Sequence, residues 1–333
     1  MEIRFGILGA GKIAQKFCEA ANGIGVKLQD VASRDRSRAL TFQERYGIAT
    51  MYGSYGEMLA DPDVDCVYVA TPHGLHYEHM LACLRARKHV LCEKAFTLNR
   101  PQAEEVFAIA RENGLFVMEA MWTRFLPAVQ EACRSVKSGE IGSLISLEAR
   151  FAFRSTNPPE DRLFNPALGG GALLDVGVYP ITLANLVFGV PNRITAKARF
   201  TATGVDGTAK IVYDYPDAKA VLFASIEEDG GREAKIVGTE GVVRIPGFWA
   251  TETATLCDLK GQPLRTITLP HRVNGMEYEI EETIRCIAEH RLESPIMPWS
   301  ETLEILAQTD QIRSLWGFRY PGENQSIFVD LKR

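Results

Sequence analysis

No C-x-x-C pair occurs in the sequence. Its seven cysteines, Cys18, Cys66, Cys83, Cys92, Cys133, Cys257 and Cys286, are scattered and odd in number. That argues against a disulfide framework and for a reducing compartment, the cytoplasm. Basic charge is in slight deficit: 37 Lys and Arg against 42 Asp and Glu leave a net charge of −5. Such a balance offers no electrostatic footprint for nucleic acid or an anionic membrane. The N-terminus, MEIRFGILGAGKIA, lacks a basic segment ahead of a long apolar core and reads as a strand and glycine turn, not a signal peptide. The longest apolar stretch, Leu173 to Val190, contains Asp175, Pro180 and Asn185. It is too polar for a membrane span and suits a buried helix. Neither an internal repeat nor a low-complexity segment is present. Only six histidines occur, three of them as His73-x-x-His76-x-x-His79. With no acid or cysteine cluster beside them, no metal site is expected.

What is present is an ordinary globular composition, 46% hydrophobic and 24% charged, in a chain of 333 residues, enough for two domains. Over the first 120 residues strand and helix signals alternate. Strands are expected at Ile3–Leu8, Leu28–Ser33, Val64–Ala70, Val90–Cys92 and Leu115–Met118. Helical spacing falls between them, at 11–22, 36–46, 75–87 and Pro101–Asn113. This alternation predicts a parallel sheet with helices on both faces. Beyond about residue 122 the pattern changes. After a helical stretch at 124–138, strand signals cluster between Leu144 and Cys257, punctuated by turns at Gly204–Gly207, Pro216–Asp217 and Gly230–Gly231. Gly170–Phe188 interrupts them as an apolar helix, and two late helices follow near 276–290 and 299–315. The expected architecture is an α/β Rossmann domain over 1–121, then an α+β domain over 122–333 with an open, mostly antiparallel sheet.

Residues 6–14, Gly-Ile-Leu-Gly9-Ala-Gly11-Lys12-Ile13-Ala14, fit G-x-G-x-x-A between an apolar strand and a helix. Gly9 permits the tight turn, Gly11 the approach of a pyrophosphate, and Ala14 close helix–strand packing, with free N–H groups at the helix start. The second strand ends in Asp30-Val-Ala-Ser33-Arg34-Asp35-Arg36. A hydroxyl and a guanidinium at Ser33 and Arg34 suit a 2′-phosphate, which favours NADP, with NAD the alternative. The other arrangement leaves Arg34 and Arg36 as solvated loop charges and puts Asp30 or Asp35 on the ribose.

Two further stretches carry candidate chemistry. In KHVLCEKAFTLN (88–99) a short apolar strand delivers Glu93 and Lys94 at its end, where a buried ammonium must be exposed, paired or in use. In LGGGALLDVGVYP (168–180) three glycines precede an apolar helix bearing Asp175 and, four residues on and on the same face, Tyr179. Asp175 is either functional or a helix-start acid, and Tyr179 either reactive or core. A phenol with its ordinary pKa near 10 is a poor base at neutrality, and a neighbouring ammonium lowers that pKa. Lys94 and Tyr179 are therefore read as a pair that moves a proton to or from a substrate oxygen.

With these motifs in view, the sequence resembles the Gfo/Idh/MocA oxidoreductase family. It is most similar to the branch holding dimeric dihydrodiol dehydrogenase, D-xylose dehydrogenase and glucose–fructose oxidoreductase. The similarity runs through GILGAGKIA (6–14), VASRDRSRA (31–39), VYVATPHGLH (67–76), HVLCEKAFTLN (89–99), EAMWTRFLP (119–127), RLFNPALGGGALLDVGVYP (162–180), GTEGVVRI (238–245) and YPGE (320–323). It implies a hydride-transferring NADP enzyme, NAD being possible, acting on a sugar, polyol or dihydrodiol. It further implies a cytoplasmic homodimer formed through the open sheet. Lys94 corresponds to the family's essential E-K-P lysine, although Ala95 replaces the proline, and Asp175 and Tyr179 match its D-x-x-x-H/Y motif. Cofactor contacts are implied for Gly9, Gly11, Lys12, Ile13, Ser33, Arg34, Thr71, Pro72, His76, Glu93, Lys94, Trp122 and Arg124. Trp122 has a structural role as its alternative. Arg162 and Trp249 are substrate candidates, Trp249 forming an apolar wall with Phe248 unless both lie at a dimer contact. Cys92 is expected to be buried and inert. The rival to catalysis is a nucleotide-binding regulator of the same fold, which has no need of Lys94 and Tyr179 together.

Overall fold

The computed structural model describes residues 2–321 and Glu323; of the YPGE stretch, Gly322 lies outside the described residues. The chain divides into two compact units. The first holds residues 2–121 and 272–303, the second 122–271 and 304–323.

In the first unit six strands form one parallel sheet: β1 (Phe5–Leu8), β2 (Leu28–Ala32), β3 (Thr50–Tyr52), β4 (Cys66–Val69), β5 (His89–Glu93) and β6 (Val117–Ala120). Their order is β3-β2-β1-β4-β5-β6, the doubly wound arrangement whose direction of winding reverses between β1 and β4. β1 (FGIL) and β4 (CVYV) are buried at every residue. Such runs belong to central strands covered on both faces, which is why they read as unbroken apolar segments. The helices joining the strands are α1 (Lys12–Gly23), α2 (Arg36–Tyr46), α3 (Tyr55–Leu59), α4 (His76–Arg85) and α5 (Arg100–Asn113). Asp35, Ser54 and Asn99 accept backbone N–H bonds as caps of α2, α3 and α5. Neither β3 nor α3 was legible in the sequence, both being short and only partly apolar.

The second unit contains α6 (Pro127–Lys137), α7 (Val178–Phe188) and an eight-stranded sheet. Its strands are β7 (Leu144–Ala152), β8 (Arg193–Phe200), β9 (Asp206–Asp214), β10 (Lys219–Ser225), β11 (Glu233–Gly238), β12 (Val242–Pro246), β13 (Thr253–Cys257) and β14 (Pro263–Thr268). All neighbours are antiparallel except β7 and β10, which run parallel at the sheet's centre. Strands such as β11 alternate exposed and buried residues, so one face is packed and the other open. Among the described residues one helical stretch, Pro166–Phe188, is long and apolar enough to cross a membrane, and 89% of its apolar window is buried inside the protein.

The sequence reading assigned everything after residue 121 to the second domain. Residues 272–303, with α8 (Glu277–Ala288), instead fold with the first unit. The cause is local. The Glu277 carboxylate gathers the backbone N–H groups of Arg272, Val273, Asn274 and Gly275, which folds the returning segment into a tight turn. Asn274 then donates to the Lys16 carbonyl, and Val273 covers Gly23, where a Cβ would stand 2.5 Å from its side chain. A last helix, α9, covers Trp299–Trp316.

One charge in the first sheet is poorly housed. Asp30, on β2, is fully buried, and neither carboxylate oxygen has a hydrogen-bond partner among the described residues. Burial first, and then the neighbouring Asp61 charge, push its pKa up to about 7. An acid neutral in the fold but ionised when unfolded contributes stability that is complete below the unfolded pKa, near 4, and lost as pH rises through about 7. Replacing Asp30 with Asn removes that dependence. We predict that the variant's melting temperature equals or falls below that of the parent at pH 4–5, and exceeds it by a widening margin toward pH 8, in paired thermal melts. A constant difference across that range would contradict it.

Candidate functional site

The C-terminal edge of the first sheet collects one motif from each of four strands. Gly9 follows β1 with φ +106, a left-handed value that favours glycine, and a Cβ there would lie 3.0 Å from the Ala70 carbonyl oxygen. Gly11 caps α1 without a side-chain bond, and no acid occupies the first turn. The positive end of the helix is therefore unneutralised and its first N–H groups face outward beside Lys12 and Ile13. This open cradle fits a pyrophosphate. Ser33 and Arg34 follow β2. The Ser33 hydroxyl accepts from Asp35 N at 3.2 Å, and Arg34 is exposed. Of the alternative ribose acids, Asp30 is sealed within its strand and Asp35 is occupied as the α2 cap.

After β4 come Thr71 and Pro72, the latter opening a short 3₁₀ turn at His73–Leu75. His76, placed among the cofactor contacts by resemblance, is fully buried. Its Nε2 meets the Thr71 carbonyl at 2.7 Å and its Nδ1 the Ala95 carbonyl at 2.8 Å. It ties the end of β4 to the end of β5. Burial lowers both deep imidazoles, His76 to about 4 and His79 to about 3. Among the described residues no cluster of His, Cys, Asp and Glu is arranged to hold a metal.

Lys94 follows β5. From Val90 to Asn99 every residue is buried except Lys94. The Lys94–Ala95 peptide is cis, although alanine stands where the family motif has proline. The chain just beyond is held from two sides, by His76 on the Ala95 carbonyl and by Glu119 of β6, whose Oε1 accepts from Phe96 N at 3.2 Å. The other Glu119 oxygen takes the Thr302 hydroxyl at 2.9 Å. Glu93 is buried and accepts from the Tyr68 hydroxyl at 2.5 Å, and Tyr68 stacks on Phe17 of α1 at 3.8 Å. Glu279 of α8 is sealed in as well. Burial, and secondarily the charge of Glu93, raise its pKa well above the carboxylate range. Glu119, Tyr68 and Glu279 carried no sequence signal, because a buried acid and an exposed one look alike in a string of letters. Cys92 is buried, and burial raises its thiol well above the usual range, as expected of an inert strand residue.

The second unit holds the other candidates. A single wide helical turn with π geometry, Leu173–Gly177, precedes α7, a feature frequent at functional sites. The glycines ahead of it are pinned in place. Asp206 Oδ2 accepts from Leu173 N at 2.6 Å and the Tyr320 hydroxyl donates to the Gly170 carbonyl at 2.8 Å. At Gly171, with φ +122, a Cβ would collide with Asp206. Asp175 is buried and paired with Arg162, Nη1 to Oδ1 at 2.9 Å. The acid in the apolar stretch thus has a counter-charge, supplied by the residue expected on the substrate. Tyr179 is 6% exposed, and its hydroxyl accepts from Trp122 Nε1 at 3.1 Å. Trp122, placed with the cofactor by resemblance, is in this way a direct partner of the phenol. Arg124 is buried in the same short turn, its carbonyl held by Gln130. Phe151 lies beside Tyr179 at 5.4 Å between centroids and stacks on Trp249 at 4.2 Å. The Arg232 guanidinium sits 5.9 Å from the rings of both Trp249 and Phe153. Phe248 is fully buried, so the exposed part of the wall is Trp249 with Phe153.

Comparison with known proteins bears on the family and the fold. Residues 3–121 match the model described as oxidoreductase family, NAD-binding Rossmann fold, and residues 129–244 match the GFO/IDH/MocA C-terminal domain. The chain is 35% identical to trans-1,2-dihydrobenzene-1,2-diol dehydrogenase of Mus musculus over 336 residues, covering 98% of this chain and all of that protein. It is also 35% identical to the Homo sapiens enzyme of the same name, over 98% of this chain and all of that one. A solved structure of KijD10, a 3-ketoreductase from Actinomadura kijaniata in complex with NADP, superposes with a TM-score of 0.85 at 29% identity, over 94% of this chain and 98% of that one. The protein is accordingly an NAD(P)-dependent dehydrogenase or reductase acting on CH–OH groups, and the chain belongs to the Gfo/Idh/MocA oxidoreductase family.

Proposed function

We propose that the protein is an NADP-dependent oxidoreductase that interconverts a hydroxyl and a carbonyl on a sugar, polyol or dihydrodiol, with Tyr179 as acid and base and Lys94 as its cationic partner. The observation that carries the reading is the Trp122 Nε1–H bond to the Tyr179 oxygen at 3.1 Å. A donor aimed at a phenolic oxygen favours the phenolate, and a nearby ammonium adds to the effect.

When bound, the nicotinamide accepts or supplies the hydride at the carbon that bears the reacting oxygen. The protein does the rest. Lys94, the one accessible side chain between Val90 and Asn99, follows a strand end held by His76 and Glu119, and in this reading supplies the positive charge that favours the phenolate. Tyr179 takes the hydroxyl proton in oxidation and returns it in reduction. Asp175, neutralised by Arg162, fixes the helix turn that aims the tyrosine. The Trp249–Phe153 surface offers an apolar face suited to an aromatic ring or the C–H face of a sugar, and the relatives' names point to a dihydrodiol and to reduction of a ketone. Ser33 and Arg34 support the preference for NADP. The open face of the second sheet bears a depression of about 500 Å³ lined by Glu148, Arg150, Lys235 and Arg244, a mixture of charges suited to self-association, and we place a homodimer contact there. Seven free, buried cysteines fit a cytoplasmic enzyme.

Three outcomes follow. Lys94→Met and Tyr179→Phe each lower turnover by roughly 10²–10⁴-fold while NADPH still quenches protein fluorescence on binding; near-normal turnover in either variant would remove that residue from the chemistry. Trp122→Phe deletes the donor to the phenol. It is expected to move the acidic, rising limb of the kcat/KM profile for alcohol oxidation upward by about one pH unit, the effect of losing one hydrogen bond to a charged oxygen; an unshifted limb would contradict the role given to Trp122. Sedimentation at micromolar concentration should give twice the 36.9 kDa chain mass, and a monomer would refute the dimer.

A further inference from the structure

The YPGE stretch takes no part in the mechanism, yet its tyrosine reaches the segment from which Tyr179 is delivered. Tyr320 is buried, and its hydroxyl donates to the Gly170 carbonyl at 2.8 Å, across 150 residues of chain. Its ring is held from two directions. The Arg313 guanidinium of α9 stands 5.1 Å from the centroid, and the Phe318 ring meets it edge-on at 4.8 Å. Glu323 joins these parts: one carboxylate oxygen accepts from Tyr320 N at 3.1 Å, and the other pairs with Arg313 at 2.5 Å. Both side chains of that pair are buried. Desolvation offsets much of the attraction in a buried ion pair, so its contribution to stability is small. Its geometric effect is to fix the backbone and the ring of Tyr320.

Gly170 is where a fixed direction matters. Its neighbours Gly169 and Gly171 have φ +73 and +122, and a Cβ on Gly170 would stand 2.7 Å from the carbonyl oxygens of Arg162 and Leu163. The bare backbone thus brings the loop that carries Arg162 against the start of the Leu173–Gly177 turn. Gly171 N donates to the Leu163 carbonyl at 2.9 Å, and Asp175 N to the Gly171 carbonyl at 3.2 Å. Three consecutive glycines have no side chains to hold this shape, and the freedom that lets them adopt it lets them leave it. The turn has no side-chain cap of its own, and Asp206 supplies one from β9. Asp206 and Tyr320 are therefore anchors brought from outside the segment.

We propose that Tyr320, braced by the Arg313–Glu323 pair, is a positioning residue for the reaction: by holding the Gly170 carbonyl it sets the helix start from which Tyr179 meets Trp122 and the substrate oxygen. The inference rests on the role given to Tyr179 above and extends it to the C-terminal segment that aims it.

The test compares the full-length parent with Tyr320→Phe, Tyr179→Phe and the double variant. Tyr320→Phe keeps the ring and removes the hydroxyl. Turnover with a sugar or dihydrodiol and NADP is expected to fall roughly ten- to a hundred-fold, the effect of a misplacement of about 1 Å. NADPH binding, read by nicotinamide fluorescence, stays within about two-fold, because the coenzyme motifs belong to the first unit. The acidic limb of the kcat/KM profile moves upward, as in Trp122→Phe, since a misaimed phenol loses its donor. Phenolate absorbance read against the variants lacking Tyr179 shows the same shift without substrate. The double variant is no slower than Tyr179→Phe, because Tyr320 acts through Tyr179. Glu323→Gln keeps an acceptor for Tyr320 N and breaks the ion pair; it gives a smaller loss in the same direction and decides the matter if Tyr320→Phe does not fold. A lower melting temperature with turnover and limb unchanged below it would make Tyr320 a stability residue only and overturn the proposal, as would a full additional loss in the double variant. Near-normal turnover in Tyr179→Phe would remove the Tyr179 reading and this inference together. A slow Tyr179→Phe beside a normal Tyr320→Phe would remove this inference alone.

Discussion

Parallel strands all end on the same edge, and the first unit depends on that constraint. Because β1, β2, β4 and β5 run in one direction, Gly9, Ser33, Thr71 and Lys94 arrive at one rim although they span 85 positions of the chain. The sheet's central strands are buried on both faces, so the polar groups of these motifs find room only where the strands stop. What varies along the rim is the chemistry proposed for it: an open helix start for a pyrophosphate, a guanidinium for a phosphate ester, and an amine for a proton-transfer partner.

The second unit works under a related restriction, the cost of placing charge in an apolar helix. Asp175 is tolerated in the buried Leu173–Gly177 turn because Arg162 reaches it from a loop thirteen residues earlier. The loop runs on into three glycines, held at the Gly170 carbonyl by Tyr320 and just beyond, at the Leu173 N–H, by Asp206. Tyr179 is thus aimed by a chain of contacts, from the C-terminal Tyr320 through the glycine run and the paired acid, none of which touches the phenol itself. A direct partner of the phenol, Trp122, comes from the 3₁₀ turn that opens this unit.

Most of the framework was legible from residue patterns because its signals are strong: unbroken apolar strands, a glycine turn between strand and helix, and strand clusters separated by turn residues. Short, weakly apolar elements escaped, namely β3, α3 and β14, as did the parallel pairing of β7 with β10, which depends on contacts far apart in sequence. The return of residues 272–303 to the first unit was hidden for the same reason, since it turns on one carboxylate, Glu277, and on packing over Gly23. In the site, Lys94, Asp175 and Tyr179 stood out as polar groups in apolar runs. Their partners did not: that Arg162 pairs with Asp175, that Trp122 donates to Tyr179 and that Glu119 holds the chain after Lys94 are matters of geometry, which residue identity alone does not encode.

The account holds that Lys94 and Tyr179 act as one unit, and a double-mutant cycle on kcat/KM tests that most directly. Residues that serve a single proton transfer are strongly non-additive: once one is gone, loss of the other matters little. The account predicts that the kcat/KM of Lys94→Met/Tyr179→Phe is about as low as that of the slower single variant, with NADP saturating and the sugar or dihydrodiol varied. Losses that multiply in the double variant would show two independent contributions and contradict it.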